Sequence, residues 1–240
     1  MPGAVIIGAG PGIRPAVARR FAREGMPITL IARGGQTLRV VADGLAPYDV
    51  PIITLQADST DRAEWDAALD QAVGEHGVPE VAVYNAALVR ADELGELSVR
   101  DHMEAWAVNT VGALNAAARL APARAARGSG TFLVTGGMPE PKPEYVSLSL
   151  GKAGVRTLIA LLDQQYGSLG VHAASVTVDG PAPPAPTSTS RQPCGQQRQV
   201  GGGVAIYRTL DRSRRCSSGV LSAYLLRAWT SAQVTRPCPR

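Results

Sequence analysis

Every cysteine of this 240-residue chain lies beyond residue 193: Cys194, Cys216 and Cys238. A disulfide-stapled scaffold is therefore excluded for most of the chain. The even spacing of the three cysteines fits no zinc pattern, so no metal site is expected. Long apolar runs are also missing, and none approaches the ~18 residues needed to cross a bilayer. The opening Met1-Pro2-Gly3-Ala4-Val5 has no basic flank, and the apolar stretch after it is soon broken by glycine. It does not read as a secretory leader, and the expected location is the cytoplasm.

Acidic residues are nearly absent from residues 181–240. That segment holds nine arginines, no lysine and one carboxylate, Asp211, for a net charge of +8. Residues 1–180 hold 15 basic and 19 acidic side chains, for a net of −4. The overall charge of +4 thus belongs to the terminal segment. The mildly acidic remainder argues against a nucleic-acid partner.

What is present is an alternation of short apolar runs and helical patterns, in a chain 45% hydrophobic and 18% charged. Ala4-Val5-Ile6-Ile7 reads as a buried strand. Residues 13–24 set Ile13, Val17 and Phe21 on one helical face, and Pro15 is tolerated in the first turn. Ile28–Ala32 is a second strand, residues 36–45 a short helix and Ile52–Leu55 a third strand. Asp61 to Glu75 is helical, with Trp65, Leu69 and Val73 four apart and Ser59 or Thr60 as its cap. Val81–Tyr84 is a fourth strand. A long helix is expected from about Val99 to Arg124, a fifth strand over Thr131–Val134, another helix over 146–167 and a sixth strand over Ala174–Val178. Strands alternating with helices imply a doubly wound parallel sheet in a three-layer α/β/α, Rossmann-like domain covering residues 1–180. Its ligand crevice is expected at the carboxyl ends of the strands, where the strand order reverses.

Past Gly180 the pattern changes to Pro181-Ala182-Pro183-Pro184-Ala185-Pro186 and a Ser/Thr/Gln/Arg-rich run. Residues 181–240 read as an irregular basic tail, disordered or foreign to the fold, with one helix near 219–230. A genuine but unusual substrate lid is the other reading.

The turn Gly8-Ala9-Gly10-Pro11-Gly12 follows the first strand and opens the first helix. Glycines let a phosphate approach the backbone, and the helix start offers free N–H groups and a positive dipole end. A nicotinamide dinucleotide is the expected ligand.

With Ile13 and Arg14, this turn resembles the glycine motif of the short-chain dehydrogenase/reductase family, departing from it at Ile7 and Arg14. Further landmarks are similar. Ala57-Asp58 resembles the family's adenine-contacting Asp. Tyr84-Asn85-Ala86-Ala87 resembles its Asn-Asn-Ala-Gly, keeping Asn85 and Ala86. Asn109 and Lys152 match two members of its catalytic tetrad. The resemblance implies hydride transfer on a carbonyl/alcohol pair of a small molecule, and a homodimer or homotetramer formed through the two long helices. It also implies that Lys152 lowers the pKa of a phenol and holds the cofactor ribose. A free phenol, with a pKa of ~10, is otherwise a poor base. In the family that tyrosine stands four residues before the lysine; here the position is Leu148. The nearest phenol is Tyr145, seven residues before Lys152 and ~10 Å along a helix axis. Ser149 shares the face of Lys152, and Thr135 is the one hydroxyl near the family's serine position, followed by Gly136-Gly137. The candidate catalytic set is Asn109, Lys152, Tyr145 and Thr135. The candidate cofactor set is Gly8, Gly10, Gly12, Ile13, Arg14, Arg33, Asp58, Asn85, Ala86 and Lys152. Ala32 is neutral and Arg33 follows it, a pattern that accommodates a 2′-phosphate, so NADP is expected over NAD. Two functions stay open: an NAD(P)(H)-dependent oxidoreductase, or a catalytically impaired NAD(P)-binding protein with a regulatory or structural role.

Overall fold

The computed structural model describes residues 3–9, 13–178 and 204–205, excepting the side chains of Ile13, Arg14, Val178, Val204 and Ala205. The strands are β1 (Ala4–Ile7), β2 (Ile28–Ala32), β3 (Ile52–Gln56), β4 (Val81–Tyr84), β5 (Gly130–Thr135), β6 (Val171–Val178) and β7 (Val204–Ala205). The helices are α1 (Ile13–Arg23), α2 (Gly35–Asp43), α3 (Arg62–His76), α4 (Val99–Trp106), α5 (Gly112–Arg127) and α6 (Val146–Tyr166). The sheet runs β3-β2-β1-β4-β5-β6-β7. Its first six strands are parallel, with β1 in register from Ala4↔Ile28 to Ile7↔Ile31 on one side and from Ala4↔Val81 to Ile7↔Tyr84 on the other. The order reverses between β1 and β4, which opens a crevice at their carboxyl ends.

Period-two strands sort their side chains onto two cores. Ala4, Ile6, Leu30, Val83 and Leu133 pack against Val17 and Phe21 of α1 and Leu38 and Val41 of α2. Val5, Ile7, Tyr84, Phe132 and Val134 face Trp65 and Leu69 of α3, Leu120 of α5 and Val155 and Ile159 of α6. Each large apolar side chain so removed from water contributes about 1.5–3 kcal/mol before entropy is counted. Ala116 and Ala117 are buried in this second core, so the small-residue stretch serves close packing of α5 on the sheet.

Several boundaries differ from the sequence reading. α3 is capped by Asp61, not by Ser59 or Thr60: its carboxylate accepts from the backbone N–H of Ala63 at 2.9 Å and of Glu64 at 3.0 Å. β6 starts at Val171, three residues early. The helix expected over Val99 to Arg124 is interrupted by a π-helical turn over Ala107–Val111. β7 pairs antiparallel with β6 through Val178↔Val204 and Thr177↔Ala205, so the sheet gains a seventh strand. The other tail expectations, including a helix near 219–230, lie outside the described residues.

At the amino-terminal edge, Arg124 of α5 is fully buried and its Nε donates to the Pro79 carbonyl at 2.8 Å. Burial pulls its guanidinium down to about 9. An added Cβ on Gly130 would fall 2.5 Å from Arg124 Cδ.

Candidate functional site

The crevice holds a cavity of about 250 Å³ built from the carboxyl ends of four strands. Gly8 and Ala9 form its floor after β1, Arg33 and Gly34 one wall after β2, Asp58 and Ser59 another after β3, and Ala86 with Val108 the far side. Gly8 has φ +77°, and an added Cβ there would overlap the Ala86 backbone nitrogen and stand 2.6 Å from Ala86 Cα. Only glycine suits both demands. Gly10 and Gly12 lie outside the described residues, and of Ile13 and Arg14 only the backbone, opening α1, is described.

Arg33 and Asp58 meet across the cavity mouth, Nη1 to Oδ2 at 3.7 Å. Asp58 is held in place by a turn: its Oδ1 accepts from Thr60 N at 2.9 Å and Thr60 Oγ1 at 2.8 Å. Both side chains keep exposed surface, so the pair contributes little to stability and leaves the Arg33 cation accessible to an anion.

At the end of β4 and β5 the structure brings Asn85, Thr135 and Lys152 together. Thr135 Oγ1 donates to Asn85 Oδ1 in a short hydrogen bond. Lys152 Nζ donates to the Thr135 carbonyl at 2.7 Å. Asn85 is 5% exposed, yet its Nδ2 has no hydrogen-bond partner among the described residues. A buried, unpaired amide donor is costly, and this one belongs to the residue before the cavity-lining Ala86, where a carbonyl or hydroxyl of a dinucleotide would satisfy it. Together with the clearance at Gly8, this donor set accommodates the cofactor that the sequence implies.

Asn109 sits in the π-helical turn, fully buried. Its Oδ1 accepts from Leu88 N at 2.8 Å and its Nδ2 donates to Leu88 O at 3.1 Å. It therefore fixes the loop after β4. Tyr145 lies immediately before α6 and is half-buried, with its backbone paired to Asp92. Leu148, one turn before Lys152, is 4% exposed, so an aliphatic side chain fills the place of the family's phenol. Ser149 Oγ accepts from the Lys142 backbone N–H at 3.1 Å and is thereby tied to the preceding loop.

Two residues outside the sequence-based set shape this end. Asp92, 1% exposed, accepts from Ser147 Oγ at 2.7 Å and Ser147 N at 2.9 Å, capping α6 from a loop 55 residues away. Arg156, one turn beyond Lys152, donates to the carbonyls of Gly137 at 3.3 Å and Met138 at 3.0 Å. Asp92 falls in a loop without periodicity, and no local pattern marks either residue. Among the described residues no group of three or more His, Cys, Asp or Glu could hold a metal ion, and no helix is long and apolar enough to cross a membrane.

The model for short chain dehydrogenases matches residues 3–192. The chain belongs to the short-chain dehydrogenase family. Members of this oxidoreductase family bind NAD or NADP, act on small molecules and are typically oligomeric. A glycine betaine reductase of Emericella nidulans is 32% identical over 127 residues, which span 53% of this chain but a tenth of that protein. An uncharacterized short-chain type dehydrogenase/reductase of Sinorhizobium fredii is 27% identical over 184 residues, covering 72% of both chains. The crystal structure of a short-chain type dehydrogenase/reductase from Mycobacterium marinum superposes with a TM-score of 0.69 at 26% identity, covering 73% of each chain. The six parallel strands and flanking helices are thus the family's Rossmann-like fold.

Proposed function

We propose that this member of the family is a cytoplasmic oxidoreductase that uses NADP(H) on a carbonyl/alcohol pair of a small molecule. The observation that carries the reading is the crevice itself. Gly8 clears its floor and Arg33 stands at its mouth, and Asn85, joined to Thr135, immediately precedes the cavity-lining Ala86 and Ala87. The turn from Gly8 to Gly12 would hold the pyrophosphate on backbone N–H groups, with Ile13 and Arg14 at the helix start behind it. Asp58 and Ala86 would border the adenosine half, and Lys152 the second ribose. When bound, the nicotinamide supplies or takes the hydride.

The chain's own residues do the rest. Lys152 places its amine at the carboxyl end of β5, anchored on the Thr135 carbonyl. Thr135 donates its hydrogen bond to Asn85 Oδ1, which leaves the buried Asn85 Nδ2 as a donor and Thr135 Oγ1 with lone pairs. Asn109 holds the Leu88 loop. Tyr145 is the remaining phenol on this side and is the proposed proton carrier.

Arg33→Ala is expected to raise the Kd for NADPH about tenfold and leave that for NADH nearly unchanged, as measured by titration calorimetry. Charge-assisted hydrogen bonds contribute ~1.5–3 kcal/mol, reduced here by exposure, and ~1.4 kcal/mol is tenfold. Wild-type protein that binds NADH more tightly than NADPH would refute the preference.

A second reading has an observation of its own. Leu148 is buried where the phenol belongs, and Gly136-Gly137 offer no hydroxyl. A protein that binds the nucleotide without hydride transfer, in a regulatory or structural role, would look the same at these two positions. Tight NADPH binding with no consumption across a carbonyl panel would select it.

A second copy of the chain is the proposed partner. Val99, Met103 and Trp106 of α4, Leu114 of α5 and Leu150 and Leu161 of α6 are exposed. A groove of about 520 Å³ runs between α5 and α6 beside Leu114 and Leu161. So much outward apolar surface on adjacent helices marks an interface. Leu161→Glu is expected to halve the mass seen by light scattering; a monomeric wild type would refute the assignment.

A further inference from the structure

Tyr84 is a departure from the family's motif that the nucleotide site does not use. It ends β4, is 1% exposed and points into the core shared with α5. Its phenol donates to the Val108 carbonyl at 2.7 Å and lies 3.2 Å from Ser59 Oγ. In a regular α-helix the Val108 carbonyl would accept from the Gly112 N–H, four residues on. Here the Gly112 N–H bonds to the Ala107 carbonyl instead, five residues back. The phenol has taken the acceptor that the π-helical turn releases, so the helix loses no hydrogen bond by widening.

The space is cut to fit. An added Cβ on Gly112 would overlap the Tyr84 hydroxyl and stand 2.9 Å from Ser59 Oγ. Burial pushes the phenol up to about 12, so it remains a protonated donor at every pH at which the protein would work. The next residue after Val108 is Asn109, whose two amide atoms grip Leu88. On its other side, a Cβ on Gly151 would stand 2.7 Å from Asn109 Cβ, which sets α6 and the neighbouring Lys152 directly against the turn. Ser59 and Val108 both line the cavity.

We infer that Tyr84 is a positioning residue: by holding the Val108 carbonyl out of the helical ladder and resting on Ser59, it sets Asn109 and, through it, the Leu88 loop. One contiguous path then joins the adenosine wall of the crevice to the loop that borders the reacting end. The inference rests on the reading of this crevice as the nucleotide site, but its first readout needs no nucleotide, so the two can fail separately.

The test is amide hydrogen exchange by NMR on the full chain without ligand. Tyr84→Phe keeps the ring and removes the donor. The Leu88 amide and the Asn109 side-chain amide are expected to exchange at least tenfold faster, while Leu69 of α3 and Val17 of α1 keep their wild-type rates. A merely structural loss would speed all of them together, and either that result or unchanged protection at Leu88 and Asn109 overturns the inference. Should the variant fail to fold, the wild type still decides. A slowly exchanging Tyr84 hydroxyl proton with a cross-peak to the Asn109 backbone amide supports it, and a rapidly exchanging hydroxyl overturns it. In protein that consumes NADPH, Tyr84→Phe should lower kcat while shifting the nucleotide KM less than twofold.

Discussion

Gly8→Val is expected to abolish measurable NADPH binding, a loss of at least a hundredfold in affinity. Two effects act together at this position. The backbone has φ +77°, a region that a β-branched side chain enters only under strain. The new Cβ would also overlap Ala86, because the β1 and β4 ends approach so closely there. Relief requires the turn after β1 to lift, and with it the amides that would face the pyrophosphate. The control is Gly74→Ala in α3, where an added Cβ meets nothing within 4 Å. Helix propensity predicts that this change stabilises by up to ~1 kcal/mol and leaves affinity untouched. Near-native affinity in Gly8→Val, read by titration calorimetry, would remove the crevice from consideration as the dinucleotide site.

Leu148→Tyr is expected to raise NADPH consumption on a reactive carbonyl by about a hundredfold or more. Leu148 and Lys152 lie four residues apart on α6 and are both buried. A phenol at 148 would therefore stand one helical turn from the ammonium, on the same face. A neighbouring cation lowers a phenol's pKa, and a positioned acid/base group contributes ~10²–10⁴ in rate. The larger ring costs ~1–3 kcal/mol of packing, which a thermal melt will report. A folded, NADPH-binding variant with no gain in turnover would show that the missing phenol does not limit the chemistry. The same assay on wild-type protein separates the two proposed functions, because only an active enzyme has a rate to raise.

The fold was largely legible because its information is local. Strands such as Ala4–Ile7 and Val81–Tyr84 are short apolar runs, and α1 and α6 carry their own periodicity, so alternation alone implies the sheet. That Gly8 and Asn85 follow the ends of β1 and β4, and that Asn109 and Lys152 lie in the two long helical stretches, was legible for a similar reason. The π-helical turn was not, because residues 99–124 read as one continuous helix. The carbonyl released at that turn is taken by a hydroxyl 24 residues upstream, on Tyr84. The cap of α6 was hidden likewise, since Asp92 reaches Ser147 across 55 residues. Even the local cap of α3 went to Asp61 rather than its neighbours, because Asp58 had already claimed the Thr60 hydroxyl and N–H. Ser59 in turn faces the Tyr84 phenol. Three adjacent polar residues competed: a tertiary partner took Ser59 and a local turn took Thr60.

The buried arginine at the far edge of the sheet has a consequence for ancestry. Arg124 runs its carbon stem through the space a side chain at Gly130 would need. Position 130 cannot change while Arg124 stands: a methyl gained there collides with the arginine stem, and φ +153° disfavours any side chain besides. Among natural variants of this chain, glycine should therefore be kept at 130 wherever arginine stands at 124.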